Sequence, residues 1–162
     1  MLFRLAALAV ALQAAACATA PVLAPAPGAR ACPSDAAAER EAADVVRAFF
    51  VALAVDDLAG VRAATTDDFF AYDVGKEFTA ATLVETIAGA HRSGVRLEWN
   101  LGDVRAHARC DLAWAAWINS GSVTNPGQEP KPRQWLESAV LERQDGRWRM
   151  RFLHSTPKDP RP

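Results

Sequence analysis

The sequence has few of the residues and patterns that mark metal sites, charged partners or membrane spans. Of its 162 residues, 18 are basic and 19 acidic, so no net charge attracts a phosphate backbone and we expect no nucleic-acid partner. The 3 histidines and 3 cysteines do not follow the spacing of a zinc site. We also find no glycine-rich loop that would cradle a phosphate, and no internal repeat. The sequence therefore predicts neither a metal nor a cofactor.

An apolar run from Leu5 to Ala16 follows the basic Arg4 and is too short to span a bilayer. We interpret residues 1–17 as a signal peptide. Its end, Ala14-Ala15-Ala16-Cys17, resembles the bacterial lipobox, which predicts a lipid on Cys17 and an anchor on the periplasmic side of the cell envelope. The alternative is secretion to the periplasm after an Ala-x-Ala site, for which Ala16-Cys17-Ala18 would serve.

Two cysteines remain if Cys17 carries a lipid. Cys32 and Cys110 would then be an even pair in an oxidising compartment, which predicts a disulfide between them. Two unpaired thiols are the alternative. A bridge over so long a loop would stabilise the fold by roughly 4 kcal/mol if it acts by restricting the unfolded chain.

The composition divides the rest of the chain into three segments. Residues 18–33 are rich in alanine and proline, which is typical of an extended, disordered linker. Residues 34–157 carry the periodic patterns of one folded domain, and 158–162 form a short tail. With 51% apolar residues, the chain can bury one ordinary core.

Helical periodicity dominates the first half of the domain. Ser34 is a good N-cap for an amphipathic helix whose apolar residues recur every three or four positions as far as about Asp56. A short helix, Leu58 to Ala64, follows. Thr79 then caps a third helix that ends at Gly94.

The second half alternates as strands do. A short strand over 69–74 precedes the third helix, and alternation returns in 95–101 and from about Cys110 to Ser122. Two alternating runs flank Asp145-Gly146 between Arg133 and Thr156. Helices followed by a long antiparallel sheet predict an α+β domain with the helices packed on one face of the sheet.

Asp145-Gly146 predicts a β-hairpin, since both central residues of the favoured turn need positive φ. If the strands pair regularly from this turn, Glu137 faces His154 on the apolar side of the hairpin. A carboxylate beside an imidazole in an apolar pocket could move a proton near neutral pH, so Glu137 and His154 are the candidate catalytic pair. They could instead bind a ligand, or only satisfy each other within the core. A bulge in the turn would shift the register by one residue and separate them.

The order of these elements, together with several motifs, resembles the SnoaL-like branch of the nuclear transport factor 2-like superfamily over residues 35–157. The motifs are Asp56-Asp57-Leu58, Thr66-Asp67-Asp68-Phe69, Phe78-Thr79, Asp111-Leu112-Ala113-Trp114, Trp135-Leu136-Glu137-Ser138 and the ending Asp145-Gly146-Arg147-Trp148 to His154-Ser155. The resemblance implies a cone-shaped, cystatin-like fold in which three N-terminal helices cover a curved antiparallel sheet around a pocket. It also implies a homodimer through the outer face of the sheet, because many members assemble in that way. It implies no single reaction, because relatives include isomerases, dehydratases, cyclases, ligand-binding modules and assembly domains.

Aromatic and polar residues near the expected pocket are candidates for ligand binding. Tyr72 and Asp73 lie near its mouth, and at most one of them enters it because successive strand residues point opposite ways. Trp114 and Trp117 also face opposite sides, so one of them lies on the outer face, where a dimer contact explains it better. The candidate ligand-binding residues are Phe49, Tyr72, Asp73, Trp99, Trp114 and Trp135.

The sequence predicts a cell-envelope domain that binds a small apolar molecule in its pocket, or that supports assembly as a dimer. The alternative is a cofactor-free isomerase, dehydratase or cyclase that uses Glu137 and His154 on a hydrophobic substrate with a carbonyl group.

Overall fold

The computed structural model describes Cys32 and residues 35–158, which belong to the unit Cys32–Pro162. The predicted signal peptide with Cys17, the linker apart from Cys32, and residues 159–162 lie outside the described residues. The described part contains three helices and a seven-stranded sheet. In chain order the elements are α1 Ala36–Ala54, α2 Leu58–Ala64, β1 Thr65–Asp73, β2 Lys76–Thr79, α3 Ala80–Arg92, β3 Arg96–Leu101, β4 Arg105–Arg109, β5 Leu112–Thr124, β6 Lys131–Gln144 and β7 Arg147–Pro157.

Side-chain caps fix where the helices begin. The carboxylate of Asp35 caps α1 and accepts a hydrogen bond from the Ala37 N–H at 2.8 Å, one residue after the expected cap Ser34. The predicted bounds of α2 are confirmed. Thr79 caps α3 as predicted, through a reciprocal pair of hydrogen bonds with Thr82. Each of the longer helices buries one apolar face, which is why the sequence pattern located them.

The strands follow the order β2-β1-β7-β6-β5-β3, and β4 also pairs with β5. The pairing of β1 with β7 is parallel, so the curved sheet is mixed rather than antiparallel throughout as we expected. The short strands β2 and β4 were not predicted, because four or five residues carry little alternation. Cys110, at φ 54°, turns the chain between β4 and β5, and the strand expected from Cys110 therefore begins at Leu112.

The helices cover one face of the sheet and form the core with it. Phe49 and Phe50 of α1 contact each other edge to face, with ring centroids 5.3 Å apart, and Phe50 also contacts Trp117 of β5 at 6.0 Å. Leu141 and Met150 in the last two strands are fully buried beneath the helices. This packing confirms the predicted α+β architecture.

Cys32 and Cys110 form the predicted disulfide, with their Cα atoms 5.1 Å apart. The bond ties the chain just before α1 to the turn between β4 and β5. Arg109 Nε adds a hydrogen bond to the carbonyl oxygen of Cys32 at 3.4 Å. Within residues 35–158, no helix combines the length and apolar character needed to cross a bilayer.

Candidate functional site

The final hairpin begins as predicted. Asp145 and Gly146 both adopt positive φ, 51° and 76°, and the strands pair in the expected register as far as Leu141 and Met150. Beyond that point β7 contains one extra residue, a β-bulge at Arg151. The bulge lies inside the strand rather than in the turn.

The bulge separates the predicted catalytic pair. Glu137 lies opposite Ser155, and His154 lies opposite Ser138. Glu137 is only 6% exposed on the helix-covered face, whereas His154 is exposed on the opposite face. The prediction that Glu137 faces His154 is therefore wrong, because one extra residue reverses the side to which all later residues of β7 point.

Packing and charge both favour the bulge. Met150 and Leu153 are three positions apart, yet both are buried on the helix-covered face, which strict alternation would not allow. Arg151 forms ion pairs of 2.7 and 2.8 Å with carboxylates of the two neighbouring strands. The adjacent apolar residues Phe152 and Leu153 are the sequence signal for the irregularity, since a regular strand would leave Leu153 on the outer face.

Side chains of β5 hold Glu137 in place. The indole Nε1 of Trp117 donates a hydrogen bond to Glu137 Oε2 at 2.6 Å, and Asn119 Nδ2 donates to the same oxygen at 3.0 Å. Asn119 is itself fixed, because its Oδ1 accepts a hydrogen bond from the Asn100 backbone N–H at 3.1 Å. Since these groups are buried, the carboxyl group has a defined orientation before any ligand arrives.

Ser155 links Glu137 to a second carboxyl group. Its hydroxyl group is close enough to lower the pKa of both Glu137 and Asp73, and all three residues line the same cavity. Asp73 ends β1 and also accepts a hydrogen bond from the Val74 backbone N–H at 2.9 Å. A hydroxyl group can donate and accept a hydrogen bond, so Ser155 can relay a proton between Asp73 and Glu137, and we call the three residues the Asp73-Ser155-Glu137 chain.

Burial raises the proton affinity of both acids. Desolvation raises the pKa of Glu137 from 4.5 to about 7, although hydrogen bonds from Asn119, Ser155 and Trp117 oppose the shift, and the nearby charge of Asp73 adds to it. Desolvation likewise raises the pKa of Asp73, against the Val74 and Ser155 hydrogen bonds and the charge of His154. Glu137 can therefore hold or release a proton near neutral pH.

The two acids and Ser155 line a cavity of about 310 Å³ between the sheet and the helices α1 and α3. Most of the remaining wall is apolar. Its aliphatic and aromatic residues include Phe50, Leu53, Leu83, Ile87, Leu97 and Leu153. The arrangement is an apolar chamber with one polar wall, which suits a ligand that is largely apolar and carries a hydrogen-bonding group.

The predicted ligand-binding residues divide into two groups. Asp73, Trp99 and Trp135 line the cavity. Phe49 is fully buried in the core next to Phe50, which takes the lining position in its place. Tyr72 and Trp114 do not enter the cavity, because their strand positions point to the outer face, where they are 46% and 52% exposed. These placements correct the expectations for Phe49, Tyr72 and Trp114.

The sequence reasoning missed Ser155 and Asn119, and it did not place Trp117 beside Glu137. The pattern contained a signal for Asn119, since it shares a strand face with Trp117 and interrupts an otherwise apolar run. Ser155 could not be found, because only the bulge turns it inward. Among the described residues, no group of three or more His, Cys, Asp or Glu side chains is arranged to hold a metal ion.

Comparison with known proteins identifies the family. The model of the SnoaL-like domain matches residues 42–158, which is most of the chain, and the protein belongs to this family. Among curated proteins, none matches the chain.

Several solved structures have the same fold. An NTF2-like protein of unknown function from Pseudomonas putida KT2440 is 22% identical and has a TM-score of 0.63, with 76% of this chain and 89% of that chain covered. A ketosteroid isomerase-like protein from Erwinia carotovora atroseptica is 18% identical and has a TM-score of 0.64, with 78% and 100% covered. The association domain of C. elegans CaMKII is 15% identical and has a TM-score of 0.62, with 74% and 95% covered. At these identities, the similarity shows a shared fold alone.

Proposed function

We propose that the domain binds a small, largely apolar molecule in the cavity beside Glu137. The observation that carries the proposal is the combination of a cavity of about 310 Å³ with a polar cluster around Glu137 on a largely apolar wall. Cavities of this size and composition are the usual sites for small ligands, whose polar group the few polar residues orient.

The environment of Glu137 supports ligand binding over a purely structural role. A buried acid whose pKa rises to about 7 lowers the stability of the fold at neutral pH, because its charged form is poorly solvated. A group that only completed the core would not need to be ionisable. Acids that are destabilising in a cavity of this kind are characteristic of functional sites.

Native mass spectrometry of the mature, exported protein tests the proposal. We expect a co-purified small molecule on the wild type and its loss from Leu97→Trp, which fills the cavity. Val51→Trp is the matched control, since Val51 is 69% exposed on α1 and does not line the cavity. Wild-type protein that carries no molecule and takes up none from a library of apolar compounds would contradict the proposal.

Proton transfer within this cavity is a second candidate function, favoured by the Asp73-Ser155-Glu137 chain. Two carboxyl groups that share a hydroxyl group can remove a proton at one position of a substrate and return it at another. Some proteins of similar structure are named ketosteroid isomerase-like, which agrees with an isomerase acting on a carbonyl-bearing hydrophobic substrate. In this candidate function, Asp73 has the proton-transfer role that the sequence predicted for His154.

Deuterium exchange at the carbon next to the carbonyl of an unsaturated cyclic ketone, followed by NMR in heavy water, tests the enzyme candidate. We expect exchange above the buffer rate with the wild type, and its loss in Glu137→Gln and Asp73→Asn. His107→Ala is the matched control and should exchange normally, because His107 is exposed on β4 and does not line the cavity. If the wild type exchanges deuterium only at the buffer rate, the result contradicts an isomerase function on such ketones.

We also propose that the domain forms a homodimer through an apolar patch that we call the outer face. Its members lie on neighbouring strands, on the side of the sheet that the helices leave uncovered. They are Phe70, Tyr72, Trp114, Ile118, Leu136, Val140 and Phe152. A continuous patch with exposed aromatic residues is characteristic of a protein interface. Two of the similar structures are association domains by name, which supports assembly through this fold.

The proposed location is the periplasmic side of a bacterial cell envelope, with a lipid on Cys17 or, alternatively, free after secretion. The Cys32-Cys110 disulfide supports an oxidising compartment. Metabolic labelling of the full chain with a palmitate analogue tests the anchor. We expect the label on the wild type and on Cys32→Ser but not on Cys17→Ser, and unlabelled wild type would leave secretion as the explanation.

A further inference from the structure

The cavity has one basic group as well as its two acids. Asp73, Arg133 and Glu137 are the ionisable residues of its wall in the described part of the chain. Glu137 is buried, whereas Arg133 is exposed. Glu137 and Arg133 therefore lie at different depths of the same cavity.

Strand β6 sets this separation. Arg133, Trp135 and Glu137 are alternate residues of β6, and all three line the cavity. Their burial increases in that order, from exposed through intermediate to 6% exposed. At about 3.3 Å per strand residue, the Cα atoms of Arg133 and Glu137 are about 13 Å apart. A ligand that lies along this wall would meet a cation at the mouth, an indole in the middle and a carboxyl group at the inner end.

The guanidinium group of Arg133 is available to a ligand. Its one hydrogen bond is to the carbonyl oxygen of the preceding residue, Pro132, at 3.2 Å, and within residues 35–158 no carboxylate forms an ion pair with it. Arg92 and Arg151, by contrast, are paired with carboxylates at 2.6 to 2.8 Å. A planar guanidinium group with free donors binds a carboxylate through two parallel hydrogen bonds.

We propose that the natural ligand is an aliphatic or aromatic carboxylate, bound with its anionic group on Arg133 at the mouth and its apolar body against Trp99 and Trp135. The opposite orientation is disfavoured, because it would place the ligand anion beside the charged form of Glu137, which repels it. This inference rests on the proposed ligand-binding function and adds to it the chemical class of the ligand. It makes Arg133 a residue that determines specificity.

Binding of decanoate and of 1-decanol, two probes with equal tails, tests the inference through tryptophan fluorescence at pH 8. We expect decanoate to bind the wild type about 10-fold more tightly than decanol, which is the lower end of the range for a hydrogen bond to a charged group and suits the exposed Arg133. Arg133→Gln should weaken the binding of decanoate by the same factor and leave the binding of decanol unchanged. Added salt should reduce the preference in the wild type, because Arg133 is exposed.

Arg96→Gln is the matched control. Arg96 is an exposed arginine of β3 whose neighbours Leu97 and Trp99 line the cavity, but it does not line the cavity itself. The Arg96→Gln variant should bind decanoate and decanol with the affinities of the wild type. Equal binding of the two probes to the wild type, with no effect of Arg133→Gln, would overturn the carboxylate inference while ligand binding stands. Binding of neither probe, together with an empty cavity in native mass spectrometry, would overturn the carboxylate inference and the proposed ligand-binding function.

Discussion

At the scale of single residues, Glu137 is the clearest case of an energetic compromise. Its neighbours Trp117 and Asn119 donate two hydrogen bonds to one carboxylate oxygen, which stabilises the charged form. Desolvation outweighs them, and the pKa rises to about 7. The folded protein therefore binds a proton more tightly than the unfolded chain does.

This difference predicts how stability depends on pH. Between about pH 4.5 and pH 7 the folded state keeps the proton that the unfolded state has lost, so the free energy of unfolding falls as pH rises and levels off above pH 7. The loss is roughly 3 kcal/mol for a shift of this size. Urea unfolding from pH 5 to pH 8 should show that Glu137→Gln lacks this part of the decline, since the amide still accepts the two hydrogen bonds.

A second glutamate variant serves as the control for these pH profiles. Glu129→Gln removes an exposed glutamate from a loop and should leave the pH dependence of the wild type unchanged. Parallel pH profiles for wild type and Glu137→Gln would show that Glu137 has the same proton affinity in both states.

At the scale of secondary-structure elements, Gly121 allows β3 to approach β5. A Cβ atom at Gly121 would overlap the carbonyl oxygen of Glu98 on β3, which is backbone and cannot move aside. Gly121→Ala should therefore destabilise the fold by about 1 to 3 kcal/mol and disturb Trp99, the residue that pairs with Gly121. Urea unfolding measures the first effect, and tryptophan fluorescence of the native state measures the second.

A glycine in α3 serves as the control for this substitution. A Cβ atom at Gly89 would only make ordinary contact, 3.7 Å from an Arg92 side-chain nitrogen. Gly89→Ala should stabilise the protein by about 0.5 to 1 kcal/mol, because alanine is the better helix former. Equal stabilities of Gly121→Ala and the wild type would contradict the close approach of the two strands.

The disulfide joins two elements that are far apart in the sequence. Cys32 and Cys110 are separated by 78 positions, so their bond restricts a large part of the unfolded chain. The double variant Cys32→Ser/Cys110→Ser should lose roughly 4 kcal/mol of stability in urea unfolding under oxidising conditions. Under reducing conditions the wild type should match it. A variant as stable as the oxidised wild type would show that the bond does not contribute.

At the scale of the whole molecule, the outer face predicts a dimer that depends on Trp114. Trp114 is 52% exposed and faces Val140, which in turn faces Phe152 across the next strand pair. Trp114→Glu should convert the dimer to a monomer in analytical ultracentrifugation, because a buried unpaired charge opposes association. Val51→Glu changes an equally apolar site on α1 and should remain dimeric. A wild-type protein that is monomeric at all concentrations would contradict the proposed dimer interface.

Much of the architecture could be predicted from sequence, since the signals for helices and turns are local. The capping group at Thr79 and the positive φ of Asp145 and Gly146 depend on a few neighbouring residues. The cysteine pairing also followed from the number of cysteines and the predicted oxidising compartment. The parallel contact of β1 with β7 did not, because strands of either direction show the same alternation.

The sequence by itself determined that an acid, Glu137, would lie on the inner side of a hairpin opened by Asp145-Gly146. Only the tertiary structure decided its partners. Leu153 must pack against the helices, which forces a bulge at Arg151, turns Ser155 toward Glu137 and leaves His154 outside. Asp73 joins them because β1 pairs with β7. The reason is physical: a strand's register depends on the packing of residues distant in sequence, whereas its alternation is a property of the strand alone.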